Sequence, residues 1–246
     1  MYGSQPVSPE STPRVRGPNP HGIGGVLFAV LFLSSQTVAG MFATGAAPLP
    51  DAEAAEIAAY FARNQLAAGV LSTFHAVAAL ALLTFVRPVV AVVRDAAGTR
   101  RALPVVAAVG GVLAAVGLFV SAALGFALAL FAPGWELGVV AAVRMTNFYT
   151  GGVVHVVSLG VFVGAAALAT VRPAALPKGI RIYGWVAAIP AVLSVLSVPI
   201  YLASVLLPVG RILCLVWCVA AGVAVLVGVR RFAGVRTRPA APPSPT

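Results

Sequence analysis

The chain has 246 residues, of which 60% are hydrophobic and only 9% charged, whereas a soluble domain is about 45–50% apolar and about 25% charged. So few charges cannot cover so much apolar surface in water, which excludes a soluble globular fold and implies insertion into a lipid bilayer. The net charge of +10 lies in short basic clusters between apolar runs, the distribution of topology-setting charges rather than of a nucleic-acid surface, with contact to anionic headgroups as a secondary effect.

Residues 1–20 are polar and rich in Pro and Ser, with Arg14 and Arg16, and read as a disordered cytoplasmic tail. The split arginines do not make a twin-arginine signal. The first span is expected from about Gly22 to Ala46. It reads as a retained helix, because the apolar run is long for a cleaved leader and no Ala-x-Ala site ends it. Its Ser34, Ser35, Gln36 and Thr37 should face other helices rather than lipid.

The stretch AAPLPDAEAAEIAAYFARNQ is too charged to span. Pro50 and Asp51 mark a helix start, with Asp51 as N-cap. A short surface helix follows, with Tyr60 and Phe61 anchoring it among the headgroups. The second span, Leu66–Val86, has 21 residues without an acid, Lys or Arg, and holds His75 near its middle. A bilayer core about 30 Å thick needs about 20 such residues.

The third span, about Pro104–Phe131, contains Gly110, Gly111, Gly117 and Gly125, which allow neighbouring backbones to approach closely. VVAAVRMTNFYTGG, with Arg144 and Asn147, is either a surface helix or the early turns of the fourth span. That span, about Thr150–Val171, holds His155 and a Gly160-x-x-x-Gly164 contact motif, internal or between subunits. The fifth span, about Trp185–Leu206, includes Pro190 and Pro199, which should bend it, and begins with the interfacial pair Tyr183 and Trp185.

The sixth span, about Arg211–Val229, carries Cys214 and Cys218 on one helix face. They read as small packing residues rather than a thiol or metal site. Residues 231–246 are basic and then Pro-rich, a second disordered tail. The expected fold is thus all-α: a polytopic bundle of six transmembrane helices over 21–230, with short extracellular surface helices.

With both termini in the cytoplasm, thirteen of the sixteen Lys and Arg residues fall inside; only Arg63, Arg144 and Arg211 fall outside. Asp51, Glu53, Glu56 and Glu136 are then outside, Glu10 and Asp95 inside. Lys/Arg bias sets orientation, so a multi-pass plasma-membrane protein of the bacterial inner membrane is expected. Six spans permit an inverted repeat, but the prolines of the fifth have no counterpart in the second.

An ionisable residue within a span is a functional candidate. His75 and His155 could ligate haem, act in a proton relay, or hydrogen-bond as neutral imidazoles to Ser or Thr on neighbouring helices. Ser72 and Ser158 lie one turn from them. Gln36, Ser194 and Ser197 complete the polar intramembrane set. At the outer face, Asp51, Glu53, Glu56, Tyr60, Arg63, Arg144 and Asn147 form either a binding cluster or a solvated rim with weak ion pairs. HExxH, GxSxG, CxxC and Walker A patterns are absent from the sequence, and no metal is expected. No expected span interior contains Asp or Glu, unlike many ion-coupled carriers.

PLPDAEAAEIAAYFARNQ, with its Phe61-Ala62-Arg63-Asn64 ending, together with VVAAVRMTNFYTGG ahead of His155, resembles uncharacterised six-helix membrane proteins of high-GC actinobacteria. The resemblance implies the same six-helix topology, an acidic surface helix and a second short extracellular helix; it implies no activity. The expected function is a non-enzymatic membrane component acting as scaffold, accessory subunit or sensing partner, in contact with the bilayer and with another membrane subunit. A channel or carrier for a small or lipidic solute is the first alternative, and a haem-binding redox protein through His75 and His155 the second. No other cofactor is expected.

Overall fold

A computed structural model describes residues 18–169 and 176–228. The expected tails (apart from residues 18–20) and the loop containing Arg172 lie outside the described residues. Eight α-helices are present among them: α1 (Ile23–Gly40), α2 (Ala54–Arg63), α3 (Gln65–Ala96), α4 (Ala102–Phe131), α5 (Leu137–Tyr149), α6 (His155–Ala169), α7 (Lys178–Leu193) and α8 (Leu206–Val227). No strand occurs among the described residues. Six continuous helical stretches are long and apolar enough to cross a membrane.

Several boundaries move from their predicted places. The first helix ends at Gly40 rather than Ala46. Asp51 is not the N-cap of α2; Glu53 holds that position. α3 runs ten residues past Val86, through Pro88, because Val89, Val92 and Val93 stay buried against the bundle. VVAAVRMTNFY is not a separate surface helix. It is α5, joined to α6 by a π-helical turn, Thr150–Val154.

The helix of the fifth span, α7, starts at Lys178 and stops at Leu193, followed by a 3-10 turn at Ser194–Ser197. Lys178 and Arg181 fit inside it because long basic stems bury along apolar surface while their heads reach the polar boundary. Pro199 ends the segment, since its ring would clash with the carbonyl four residues back and it donates no hydrogen bond. α8 begins at Leu206, five residues earlier than expected. Pro208 falls in its first turn, where the lost N–H would have no intrahelical partner anyway.

Each span packs against the next in chain order, and α8 returns to α1. The bundle is therefore a closed ring. Its outer surface carries exposed Leu27, Val30 and Leu33 on α1, Val105, Val109 and Val116 on α4, and Val186 and Ile189 on α7. Apolar side chains facing outward all round suit a hydrocarbon solvent and not water.

Inside the ring, Phe85, Phe162 and Trp217 pack edge to face, with centroids 5.9–6.4 Å apart. The Trp217 indole donates to the Ile180 carbonyl at 3.1 Å, which satisfies its one polar atom. Cys214 and Cys218 are buried and free in the same layer; the Cys214 thiol lies 3.6 Å from the Ala187 carbonyl oxygen. The α2 helix packs Ile57 and Phe61 onto Leu128, Ala129 and Val140. Phe61 is thus buried protein core, not a headgroup anchor.

The Gly160 motif is used within the chain. A methyl on Gly160 would stand 2.7 Å from the Cβ of Ala191 on α7, and one on Gly210 would stand 2.6 Å from the Ala191 backbone nitrogen. Two glycines from α6 and α8 therefore close on one fully buried alanine. At Gly164 the added methyl would meet only the Ala188 Cβ, at 3.3 Å. Gly160→Ala should destabilise by about 1–3 kcal/mol through overpacking. Gly164→Ala should cost clearly less, being offset by the gain in helix propensity. Thermal unfolding of both variants in one detergent checks the order; equal losses would contradict this packing.

Candidate functional site

All the loops and helix ends between α1 and α2, α4 and α5, and α7 and α8 gather at one end of the ring. There the α1–α2 and α7–α8 segments, with the adjoining helices, surround a cavity of about 890 Å³. Its walls come from α1 (Phe32, Gln36), α3 (Ser72, His75), α4 (Ser121), the π turn (Gly151) and α8 (Leu207, Arg211), with Arg144 and Asn147 of α5 nearer the mouth. His75 is ten residues into α3, about 15 Å deep at 1.5 Å per residue, roughly half the thickness of a hydrocarbon core. Below this level Phe28, Phe85, Phe162 and Trp217 fill the ring.

Arg211 is the deepest charge. Because α8 starts at Leu206, Arg211 sits within the helix and not at its outer end as predicted. Gly210 draws α8 onto α7 at this point, which fixes the direction of the arginine. Its guanidinium lies over the Phe32 ring, 5.0 Å from the centroid, a cation–π contact worth about 0.5–2 kcal/mol. It donates through Nη2 to the Gly151 carbonyl at 2.5 Å.

The π turn makes that carbonyl available. In an α-helix the His155 N–H would take the oxygen four residues back, that of Gly151. Here it bonds instead to the Thr150 and Gly152 carbonyls, so Gly151 is passed over and its oxygen turns to Arg211. The Nε of Arg211 is buried and has no hydrogen-bond partner among the described residues.

The two span histidines flank the floor. Ser35 donates its hydroxyl proton to the Phe32 carbonyl at 2.6 Å. It therefore accepts from His75 Nε2, 3.3 Å away, which leaves the lone pair on Nδ1. The His75 ring stacks on Phe32 at 4.9 Å. His155 is fully buried behind it, near-parallel to Phe32 at 6.1 Å. Its Nδ1 donates to the Ala114 carbonyl at 2.8 Å. Thus His75 finds a serine on a neighbouring helix, but Ser35 and not Ser72, and His155 finds backbone rather than a hydroxyl. Among the described residues no group of three or more His, Cys, Asp or Glu could hold a metal ion.

Nearer the mouth, Arg144 donates to the Pro48 carbonyl and to Asn147 Oδ1, both at 3.1 Å. Asn147 Nδ2 donates to the Ser121 carbonyl at 2.6 Å. The Arg144 Nε has no partner among the described residues. Asn64, 1% exposed, accepts from the Thr44 N–H at 2.6 Å and donates to the Tyr60 carbonyl at 3.0 Å. Residues 41–53 are thereby tied over the cavity at two points, Thr44 and Pro48.

Of the predicted candidates, Gln36, His75, Ser197, Asp51, Arg144 and Asn147 line this one cavity. His155 adjoins it through Phe32. Ser194 is buried and donates to the Ala191 carbonyl at 2.6 Å. Glu53, the N-cap of α2, and Glu56 and Arg63 on that helix lie exposed, away from the lining. Gly160 and Gly164 belong to helix packing. Sequence reasoning missed Arg211, Phe32, Ser121 and Asn64. Pro208 held the signal for Arg211: a proline three residues before it suits the first turn of a helix, which would place the arginine inside.

The fold and the site together define a class: a bundle with six helical stretches long and apolar enough to span a membrane, and a mostly apolar cavity with a few polar side chains, open at one end. No family model matches the sequence, and no curated protein or solved structure matches it either.

Replacing Asn64 with alanine should cost about 1–3 kcal/mol, because it removes the buried amide that binds the Thr44 N–H and hydroxyl and the Tyr60 carbonyl. Limited proteolysis should then cut faster between residues 41 and 53. An unchanged melting temperature and cleavage rate would contradict the tie.

Proposed function

We propose that this is a multi-pass plasma-membrane protein, with both termini in the cytoplasm, that receives a small or lipidic solute in its outer cavity and acts as a carrier or sensing component. The observation that carries the reading is the cavity itself. It reaches about halfway through a bilayer, is lined by Gln36, Ser72, His75 and Asn147 as well as apolar side chains, and ends on packed aromatics. Concave, mostly apolar sites with a few convergent polar groups are where ligands bind. An apolar core without polar walls would have closed on itself.

The orientation is supported by charge. Arg87, Arg94, Arg100, Arg101, Lys178 and Arg181 lie at the end opposite the cavity, while Asp51, Glu53, Glu56 and Glu136 lie at the cavity end. Lys and Arg bias toward the cytoplasm puts the mouth outside. The partner-scaffold reading loses one support, since the Gly160–Gly164 contact is made within the chain.

Gln36→Cys, at the cavity wall, should react with a membrane-impermeant maleimide added outside intact cells, as should exposed Ala55→Cys. Thr99→Cys, on the α3–α4 turn, should react only after permeabilisation. Labelling of Thr99→Cys in intact cells would reverse the orientation, and an inert Gln36→Cys beside a reactive Ala55→Cys would remove the open cavity.

A further inference from the structure

We propose that the occupant of this cavity is an organic anion with an apolar body, its acidic group held by Arg211. This rests on the solute-binding reading above and gives it a chemical class.

The charge on Arg211 cannot be removed. Guanidinium stays protonated in proteins, and a buried cation is costly unless paired. Among the described residues Arg211 has one hydrogen bond, to the Gly151 carbonyl, and a carbonyl supplies only a partial charge. Its Nε is buried without a partner among the described residues, and Arg144, on the same cavity, has an Nε in the same condition. Two guanidinium groups thus face one space.

The only acid among the described lining residues is Asp51, exposed on the loop at the mouth. A cationic solute would meet two like charges there, whereas a carboxylate or phosphate would be drawn to both arginines, which line the same cavity. Guanidinium matches such oxyanions with its planar fork of donors. Gln36, Ser72 and Ser204 add further donors along the wall.

The rest of the wall sets the remainder of the ligand. Leu71 and Phe148 line the same cavity part-exposed, in front of the buried Leu118 and Leu207, and would stay wetted beside a bare inorganic ion. An apolar body covers them and removes that water. The shared chemistry is therefore an acidic head and a hydrocarbon portion, supplied either by a soluble organic acid or by an anionic lipid.

Reaction of Gln36→Cys with two small thiol reagents of opposite charge tests this in nanodiscs. The reagents are sulfonatoethyl and trimethylammonioethyl methanethiosulfonate, each rate being normalised to that of free 2-mercaptoethanol. The parent protein serves as blank, since Cys214 and Cys218 are buried. The normalised rate should favour the sulfonate by about tenfold or more, the scale on which a charged cleft concentrates counter-ions. The preference should collapse in R211Q and weaken in R144Q, which keeps the test alive if R211Q does not fold.

Equal normalised rates would overturn the anion proposal and leave the cavity standing; no reaction with either reagent would remove the cavity reading itself. Octanoate slowing the labelling in zwitterionic nanodiscs identifies a soluble acid as the source. Slowing that arises only with phosphatidylglycerol identifies a lipid, and no slowing by either contradicts the proposal.

Discussion

A guanidinium that cannot lose its proton sits inside α8, the last helix of an apolar bundle, and the arrangement around it follows from that constraint. On insertion scales an arginine at the centre of a membrane helix costs about 2.5–3.5 kcal/mol. Three features offset this at Arg211. The π turn withdraws the Gly151 carbonyl from the helix ladder and presents it to Nη2. The Phe32 ring offers its face to the charge. The adjoining cavity replaces hydrocarbon with space that polar groups share. Each offset comes from a different helix, so the position of Arg211 depends on the ring being closed.

The ring is closed by small residues. Gly160 and Gly210 meet Ala191 from opposite helices, and this contact sets both the register of α8 against α7 and the depth of Arg211. Below that level the aromatic layer of Phe85, Phe162 and Trp217 occupies the interior. Above it Gln36, Ser72, His75, Ser121 and Asn147 interrupt an otherwise apolar wall, and the space does not fill with side chains. The site is thus a consequence of packing: bulky aromatics at one end of the bundle, polar and small side chains at the other. A loop tied through Asn64 and Arg144 lies over the opening.

The six spans were legible in the sequence because an unbroken run of about twenty apolar residues matches the thickness of a hydrocarbon core. Helix ends were less legible. Lys178 and Arg181 look like loop residues by charge, yet their flexible stems let them lie on a helix. Pro88 looks like a stop, yet buried valines carry α3 through it. The candidate site was half legible. Gln36, His75, Arg144 and Asn147 stand out as polar groups in apolar surroundings, and they do line one cavity. Arg211 was hidden because a charge beside an apolar run reads equally well as the boundary of the run. Phe32 was hidden because an aromatic among aliphatics carries no sign of what it will touch. The π turn has no pattern in the sequence beyond the pair Gly151-Gly152.

The position of the Arg211 side chain decides whether the cavity has a charged floor, and a density map of the protein in lipid nanodiscs shows that side chain directly. The expected result is the Arg211 guanidinium over Phe32, bonded to the Gly151 carbonyl, at the floor of a cavity open on the α2 side. A map with Arg211 extended to the headgroup layer, and the space between Gln36, His75 and Asn147 filled by packed side chains, would contradict it.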